Sequence, residues 1–209
     1  AWYESGKKQR QGSFLDDKEN GNWVQWYENG NKMDEGNFCL GEMCKTWEGW
    51  YESGVLKYRI QYQNNIKNGT YVYYWENAKF RSKGYYRNDI KDGKWTEYSQ
   101  LGLKLEEGKF KEGKKEGMWS FYGKRGELVR KQNFKDHLPN GKWIEYYPNG
   151  IKQREGSYEN LAKTGVWTYY DEKGEITYQV LYKNNMIFKV LKDKKPNNKT
   201  SPEINTKIR

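Results

Sequence analysis

The chain repeats itself every 24 residues, and this period constrains its fold more than any other feature. With Gly21 as position one, seven full units run without insertion or deletion to residue 187, and a half-unit precedes them. Positions three and six are Trp or Tyr in every full unit, and position eighteen is Phe or Tyr. Position one is glycine in all units but one, where it is Lys45. Such strict repetition predicts an array in which each unit packs only on its neighbours.

Each unit is expected to form one β-hairpin. Turn dipeptides occur twice per unit, with Asn20-Gly21 ending at position one and Asn29-Gly30 ending at position ten. Asn-Gly pairs tolerate the positive φ angles of tight turns, and the segments between them are rich in strand-forming aromatic and β-branched residues. The predicted fold class is all-β: an elongated, single-layer antiparallel β-meander of 24-residue hairpins, with seven full repeats and an N-terminal half-repeat. At about 10 Å per hairpin, the meander would be roughly 70 Å long.

The aromatic columns at positions three, six and eighteen are expected to form a structural ladder of rings across neighbouring strands. Positions three and six have opposite parity, so either a bulge separates them or both sheet faces carry aromatic residues. Position seven is aromatic in five of eight units, and its rings lie off these columns. They are the candidates for an exposed partner-binding stripe, namely Tyr3, Tyr27, Tyr51, Trp75 and Tyr147.

Two regions are predicted, a repeat array over residues 1–187 and a basic, flexible tail over residues 188–209. The tail has seven Lys and Arg against two acidic residues, a net +5 of the total +10. Its Lys192, Lys194 and Lys195 are candidates for contact with an acidic protein, an anionic lipid or a nucleic acid.

Five apolar residues depart from the repeat frame near the end of the array, namely Met186, Ile187, Phe188, Val190 and Leu191. We expect this segment to close the sheet or to dock a partner, because an open sheet edge promotes association. At the other end the chain begins at Ala1 inside a repeat, which suggests a processed or truncated piece. The sequence contains no run of about 18 apolar residues, the length that would predict a membrane span. We expect a soluble protein, with a cytoplasmic location favoured and an exported one left open.

Catalytic motifs are lacking. The only histidine, His137, lies beside a turn and is interpreted as a solvated loop residue. The glutamates that precede position sixteen recur from unit to unit, as a surface pattern would; they are Glu35, Glu106, Glu107 and Glu155. We therefore expect no enzyme activity, no metal site and no cofactor.

The only cysteines, Cys39 and Cys44, flank a predicted turn. Free thiols are the first expectation, and a disulfide across the hairpin is the alternative. A zinc site is not expected, because two thiols without a nearby histidine do not supply its ligands. The cellular compartment stays open on this basis.

Several segments resemble MORN repeats, namely residues 108–122, 146–158 and 156–170. Their W-x-x-YY-x-NG-x-x-x-x-EG-x-Y pattern is most similar to the MORN variant of bacterial YwqK-type antitoxins, and the resemblance covers residues 1 to 187. It implies a β-meander that acts as a scaffold, a partner-binding module or an antitoxin-like inhibitor. Five residues replace glycines of the pattern, and we expect local bulges or different caps there: Lys45, Ile60, Ala78, Gln132 and Val180.

Three functions follow as hypotheses. The first is a scaffold that binds a protein partner along the aromatic-rich face or edge of the sheet. The second is an antitoxin- or immunity-type inhibitor that uses the same surface. The third is a module for membrane lipids or polyanions, whose binding would weaken steeply with salt.

Overall fold

The computed structural model describes residues 1–194, and the elements of this part are seventeen β-strands. In chain order they are β1 Arg10–Leu15, β2 Lys18–Trp26, β3 Lys32–Cys39, β4 Glu42–Trp50, β5 Leu56–Gln63, β6 Ile66–Tyr74, β7 Phe80–Arg87, β8 Ile90–Lys91, β9 Gly93–Tyr98, β10 Lys104–Lys111, β11 Lys114–Tyr122, β12 Leu128–Lys135, β13 Leu138–Tyr146, β14 Lys152–Glu159, β15 Ala162–Tyr170, β16 Ile176–Lys183 and β17 Met186–Asp193.

The strands form one open antiparallel sheet in which neighbours in sequence are neighbours in space. Strands β8 and β9 are two parts of one strand, interrupted at Asp92, and both pair with β7. The order then continues without a crossover from β9 to β17. The predicted all-β meander of hairpins is confirmed.

The tight turn of each hairpin lies at positions twenty and twenty-one, where both residues have positive φ, as in Asn64 (51°) and Asn65 (63°). This is the two-residue loop whose twist matches the flanking strands. The predicted turn at position one is wrong. Asn20 and Gly21 lie inside β2, where Gly21 (φ 79°) forms a β-bulge opposite β1. Asn-Gly is favoured in such a bulge for the same reason as in a turn, since the bulged residue is left-handed.

The second turn, at positions seven to eleven, is confirmed. In the first full unit the amide of Tyr27 donates to the carbonyl of Asn31 (2.8 Å), and the amide of Gly30 donates to the carbonyl of Tyr27 (2.9 Å). Gly30 has a φ of 94°. Each unit is thus a long strand, a wide turn, a short strand and a tight turn.

Positions three and six lie on opposite faces of the sheet. From Asn22 to Gln25, each residue of β2 pairs with one residue of β3. The register shift between Gln25 and Trp26 comes from an extra residue in β3, not in β2. Trp23 and Trp26 therefore point to opposite sides. Both faces carry aromatic residues, which answers the question that the sequence left open. We call the side with positions three and eighteen the ladder face and the side with positions two, four and six the open face.

The ladder face buries its tryptophans without a second layer. A methyl group added at Gly108 would lie 2.5 Å from Cγ of Trp119 and closer still to the fused-ring carbons, so the indole lies directly on the glycine backbone. Trp119 is fully buried, and its Nε1 donates to the carbonyl of Lys109 (3.0 Å). Phe110 packs edge-on against it, with ring centroids 5.0 Å apart. Four further pairs repeat the arrangement: Gly12 with Trp23, Gly36 with Trp47, Gly84 with Trp95 and Gly156 with Trp167.

Replacement of the position-sixteen glycine interrupts this ladder. Ile60 and Gln132 are themselves buried in the place of a ring. The aromatic contacts break after Trp47 and resume at Tyr71, and they break again before Trp143. The expected bulges or caps are not what distinguishes Ile60 and Gln132, since the same register shift occurs beside the glycines of other units. The difference is the gap in the ladder of rings. Lys45 and Ala78 behave otherwise. They take the left-handed backbone themselves, with φ of 62° and 61°, and the repeat geometry is kept.

Cys39 and Cys44 form a disulfide, with their Cα atoms 5.9 Å apart. The expectation of free thiols is wrong, and the alternative holds. Because the tight turn consists only of Leu40 and Gly41, the two cysteines lie diagonally across the ends of β3 and β4. Cys44 is buried, and Cys39 is exposed.

The sheet continues beyond residue 187. Residues 188–193, which the sequence placed in the tail, form most of β17, which pairs with β16 through two register shifts. Every residue of β17 is exposed, including Met186 and Phe188. The rest of the predicted tail, residues 195–209, lies outside the described residues.

Candidate binding surfaces

The structure brings the five position-seven residues into one row along the side of the sheet that carries the wide turns. The hydroxyl of Tyr27 donates to the carbonyl of Trp50, the position-six residue of the next unit, at 2.9 Å. The other four make the same bond one unit apart: Tyr3 to Trp26 (2.6 Å), Tyr51 to Tyr74 (2.8 Å), Trp75 to Tyr98 (3.2 Å) and Tyr147 to Tyr170 (2.8 Å).

These bonds give the row a role within the array. All five side chains are half-buried, and their polar atoms join each unit to the next. Burial raises the pKa of the Tyr51 hydroxyl. A partner would therefore meet the ring faces of this row rather than its hydroxyl groups, and its role in binding stays a prediction.

Two of the three candidate lysines, Lys192 and Lys194, lie at the far end of the sheet. Lys192 is exposed on β17, opposite Gln179. Lys194 forms an ion pair with Glu175 (2.8 Å), and this hydrogen bond raises the pKa of its ammonium group. Lys195 lies outside the described residues. Lys192 and Lys194 thus do not form one site with the aromatic row.

The recurring glutamates are ion-paired, and they divide between the two faces. On the open face Glu107 accepts bonds from Tyr122 (2.6 Å) and Lys104 (3.0 Å), which lower its pKa. Its neighbour Glu106 points to the ladder face and pairs with Lys115 (2.6 Å). Equivalent pairs on the open face join Lys32 to Glu35 (2.6 Å) and Lys152 to Glu155 (3.0 Å).

Because these glutamates are ion-paired, few of their carboxylate oxygens are available for catalysis or metal binding. Within residues 1–194 no group of three or more His, Cys, Asp or Glu side chains could hold a metal ion. His137 is exposed in a tight turn, and its Nδ1 accepts a bond from the amide of Lys115 (3.0 Å).

A second row of rings, which the sequence treated as purely structural, lies half-exposed on the open face. It consists of the position-six residues, and position twelve of the adjoining strand lies beside each ring. Three of the four lysines at position twelve place their ammonium over a ring: Lys8 over Trp26 (5.4 Å), Lys32 over Trp50 (5.4 Å) and Lys104 over Tyr122 (5.8 Å). The row consists of Trp26, Trp50, Tyr74, Tyr98, Tyr122, Tyr146 and Tyr170. The alternation of lysine with Leu, Ile or Phe at position twelve was the signal in the sequence.

A family model of the MORN repeat variant matches residues 19–39, 43–64, 139–160 and 163–184. Each matched segment is a long strand, the wide turn and the following short strand. Four units of the array are therefore similar to the MORN repeat variant, and the units between the matched pairs share the same period and strand pairing. MORN repeats indicate a scaffold that contacts proteins or membrane lipids, and their all-β fold is typically non-catalytic. No curated protein matches the chain. In the described part, no helix is long and apolar enough to cross a membrane.

Proposed function

We propose that this protein is a non-catalytic scaffold that binds a protein partner along the open face and the aromatic side of its sheet. The observation that carries the proposal is the difference between the two faces. On the ladder face Trp119 and Trp167 are fully buried, so their rings are used by the core. On the open face the rings of position six are half-exposed in every unit.

The two aromatic rows are continuous with each other. Each aromatic position-seven side chain bonds to a position-six carbonyl, so Tyr27 follows Trp26 in its own unit and reaches the backbone of Trp50 in the next. We call this combined surface the aromatic band. It offers a similar group about every 10 Å. Many weak contacts of this kind add through multivalency once one of them is made.

The carboxylates support a binding role over an enzymatic one. Glycosidase chemistry needs two carboxyl groups facing one substrate. Glu106 and Glu107 point to opposite faces, and each is held by a lysine. The recurrence of the Lys-Glu pair at Glu35 and Glu155 suggests a role in stabilising the surface of each unit.

An antitoxin- or immunity-type inhibitor would use the same band and would differ only in its partner. A lipid- or polyanion-binding module would depend on charge instead. Since attraction to a polyanion falls steeply with ionic strength, salt separates this class from the first two.

The test is an affinity purification from cells, with wash steps at low and high salt, using the full chain and a chain that ends at residue 194. Any protein that is retained is then purified and mixed with the full chain, and the mass of the complex is measured by light scattering. A defined complex that survives high salt supports the scaffold. Retention of only lipid or nucleic acid, and only at low salt, overturns it.

A further inference from the structure

Two pairs of lysines face each other directly across neighbouring strands of the open face. Lys94 on β9 is opposite Lys109 on β10, and Lys111 on β10 is opposite Lys114 on β11. Directly opposed Cβ atoms are about 5 Å apart, and like charges at that distance are destabilising. The pairs that correspond to Lys94 and Lys109 in earlier units are neutral, such as Asn22 with Asn37, and no earlier pair that corresponds to Lys111 and Lys114 has two like charges. The fold does not require lysine there, so another role is indicated.

Glu116 on β11 lies opposite Lys109, but its carboxylate accepts a bond from the amide of Asp136 (3.2 Å) and is not within ion-pair distance of Lys109. The other carboxylates of this face are bonded elsewhere. Glu107 bonds to Lys104 and Tyr122, and Glu155 bonds to Lys152 and Tyr170. Among the described residues, five open-face lysines of strands β9 to β12 have no carboxylate within ion-pair distance. We call them the lysine patch: Lys94, Lys109, Lys111, Lys131 and Lys135.

The ladder face of the same strands is different. There Lys115 pairs with Glu106 (2.6 Å), and the ammonium of Lys91 lies 3.8 Å from the ring centroid of Trp95. Burial lowers the pKa of Lys91. Arg130 on β12 also lacks a carboxylate partner, but its guanidinium lies over the rings of Phe121 (4.2 Å) and Trp143 (4.8 Å). The lysines of these strands that have no ion pair therefore lie on the open face.

Exposed apolar side chains adjoin the patch. Tyr85 on β7 is 39% exposed, and Met118 on β11 is 41% exposed. Tyr85 has the same repeat position as Lys109, and Met118 has the same repeat position as Lys94. The open face therefore presents a tyrosine, two lysines and a methionine on successive strands. Aromatic and methionine side chains are enriched where proteins meet proteins.

From this arrangement we propose that the lysine patch binds an extended acidic segment of a protein partner that runs across the strands. The inference rests on the proposed scaffold function and specifies the chemistry of the partner. From β7 to β12 there are four strand spacings, or about 19 Å, which an extended segment spans with about six residues. Acidic residues would face the lysines, and apolar residues would contact Tyr85 and Met118.

A protein segment fits this surface better than a longer polyanion. Glu107 lies on the same face, between Lys94 and the position-six ring of Tyr122. Glu155 lies on the same face two strands beyond β12. A phosphate backbone or a charged membrane that extended past the patch would be repelled by Glu155, which a segment of about six residues would not reach. Glu107 lies within the patch, in the same cross-strand row as Lys131, and is ion-paired with Lys104.

The test compares two triple variants of the full chain that remove the same charge. One is K94Q/K109Q/K111Q, and the control is K18Q/K124Q/K173Q, which replaces three exposed lysines outside the patch. The probe is a fluorescent eight-residue peptide, Leu-Ser-Glu-Ser-Glu-Ser-Leu-Ser, which presents two leucines and two glutamates on one face when extended. Its neutral counterpart has Gln in place of Glu, and binding is followed by fluorescence anisotropy. We expect the patch variant to bind the acidic peptide at least about tenfold more weakly, and the control to change less than about twofold.

Folding is checked in the same samples by thermal unfolding. The patch variant is expected to unfold at the same or a higher temperature, because it relieves repulsion between lysines. Equal losses in the two variants would overturn the proposal, and so would equal binding of the two peptides. Tighter, patch-dependent binding of single-stranded RNA or of vesicles that contain phosphatidylserine would also overturn it.

The scaffold function and the patch proposal can fail independently of each other. If a partner found by affinity purification binds the patch variant with unchanged strength, the patch proposal fails and the scaffold stands. If the acidic peptide binds the patch but no protein forms a defined complex, the scaffold proposal fails.

Discussion

Replacing Gly108 with alanine is expected to displace Trp119 from the ladder face. The added methyl group would overlap the indole ring, at 2.5 Å from Cγ and less from the fused carbons. Strands β9 and β11 pair with both sides of β10, so the backbone of Gly108 cannot retreat easily. The ring has to move instead. Complete loss of a buried tryptophan destabilises a protein by about 3–5 kcal/mol, and partial retention of its contacts lowers this to about 2–4 kcal/mol.

The assay is urea unfolding of the full chain, followed by tryptophan fluorescence and by circular dichroism. Gly150→Ala is the control for backbone effects, since Gly150 has a positive φ of 83° and no atom within 4 Å of the added methyl group. It is expected to lose only about 1–2 kcal/mol, the cost of a left-handed alanine. Because contacts in the array run between neighbouring units, unfolding of the Gly108 variant is expected to begin around β10 and β11.

A compensating pair tests the same reasoning from the other side. The chain uses Ile60 opposite Tyr71 where other units have glycine opposite tryptophan. The double variant G108I/W119Y copies that solution, and its loss is expected to be at least about 1 kcal/mol smaller than the sum of the two single losses. If Gly108→Ala is no more destabilising than Gly150→Ala, or if the double variant is strictly additive, the proposed packing of indole on glycine is refuted.

Three further predictions concern the backbone, the disulfide and pH. Lys45→Gly is expected to raise the free energy of unfolding, measured in urea, by about 0.5–1 kcal/mol. It removes the strain of a left-handed lysine (about 1–2 kcal/mol), which is partly offset by the flexibility of glycine in the unfolded chain (about 0.5–1 kcal/mol). A loss of stability would contradict the bulge. Reduction of the Cys39–Cys44 disulfide, or its replacement by two serines, is expected to lower stability by about 2 kcal/mol, the value for closing a loop of about six residues, and an unchanged urea midpoint with and without reductant would contradict this. Burial raises the pKa of Tyr71 to about 12, above its ordinary value of 10, so its contribution is complete below pH 10 and is lost as the pH rises through 12; unfolding measured across this range should depend less on pH in Tyr71→Phe, and an identical pH profile would argue against it.

The fold could be predicted from the sequence because its information is periodic. A column of seven aromatic residues in a fixed frame leaves few alternatives to stacked hairpins. The location of the tight turn could not be predicted in the same way. Asn20-Gly21 has the composition of a turn, but a left-handed glycine serves equally in a bulge, and only the pairing of β1 with β2 distinguishes them.

The glycine at position sixteen illustrates a second limit. It was visible as a column, and its usual interpretation is backbone freedom at a turn. Gly36 and Gly108 have no positive φ. Their function is the absence of a side chain beneath a tryptophan, which becomes evident only when the adjacent strand is in place.

The sequence predicted that the candidate binding residues form a row, but it did not predict the hydrogen bonds that they make. The row from Tyr3 to Tyr147 is present, but its polar atoms bond to the next unit, because the 24-residue period brings each hydroxyl to a carbonyl 23 residues ahead. The lysine patch was not predicted, since opposition of Lys94 and Lys109 depends on strand register rather than on sequence distance. Lys195 lies outside the described residues, and its role remains a prediction.

The central claim is that the open face binds a protein while the ladder face forms the core. The most direct test places a photo-crosslinking benzoylphenylalanine at Tyr98, in the aromatic band, or at Phe14, an exposed ring of the ladder face, in the full chain expressed in cells. We predict that irradiation joins one protein to the Tyr98 variant and none to the Phe14 variant. A protein crosslinked only through Phe14, or lipid and nucleic acid alone crosslinked through Tyr98, would contradict the account.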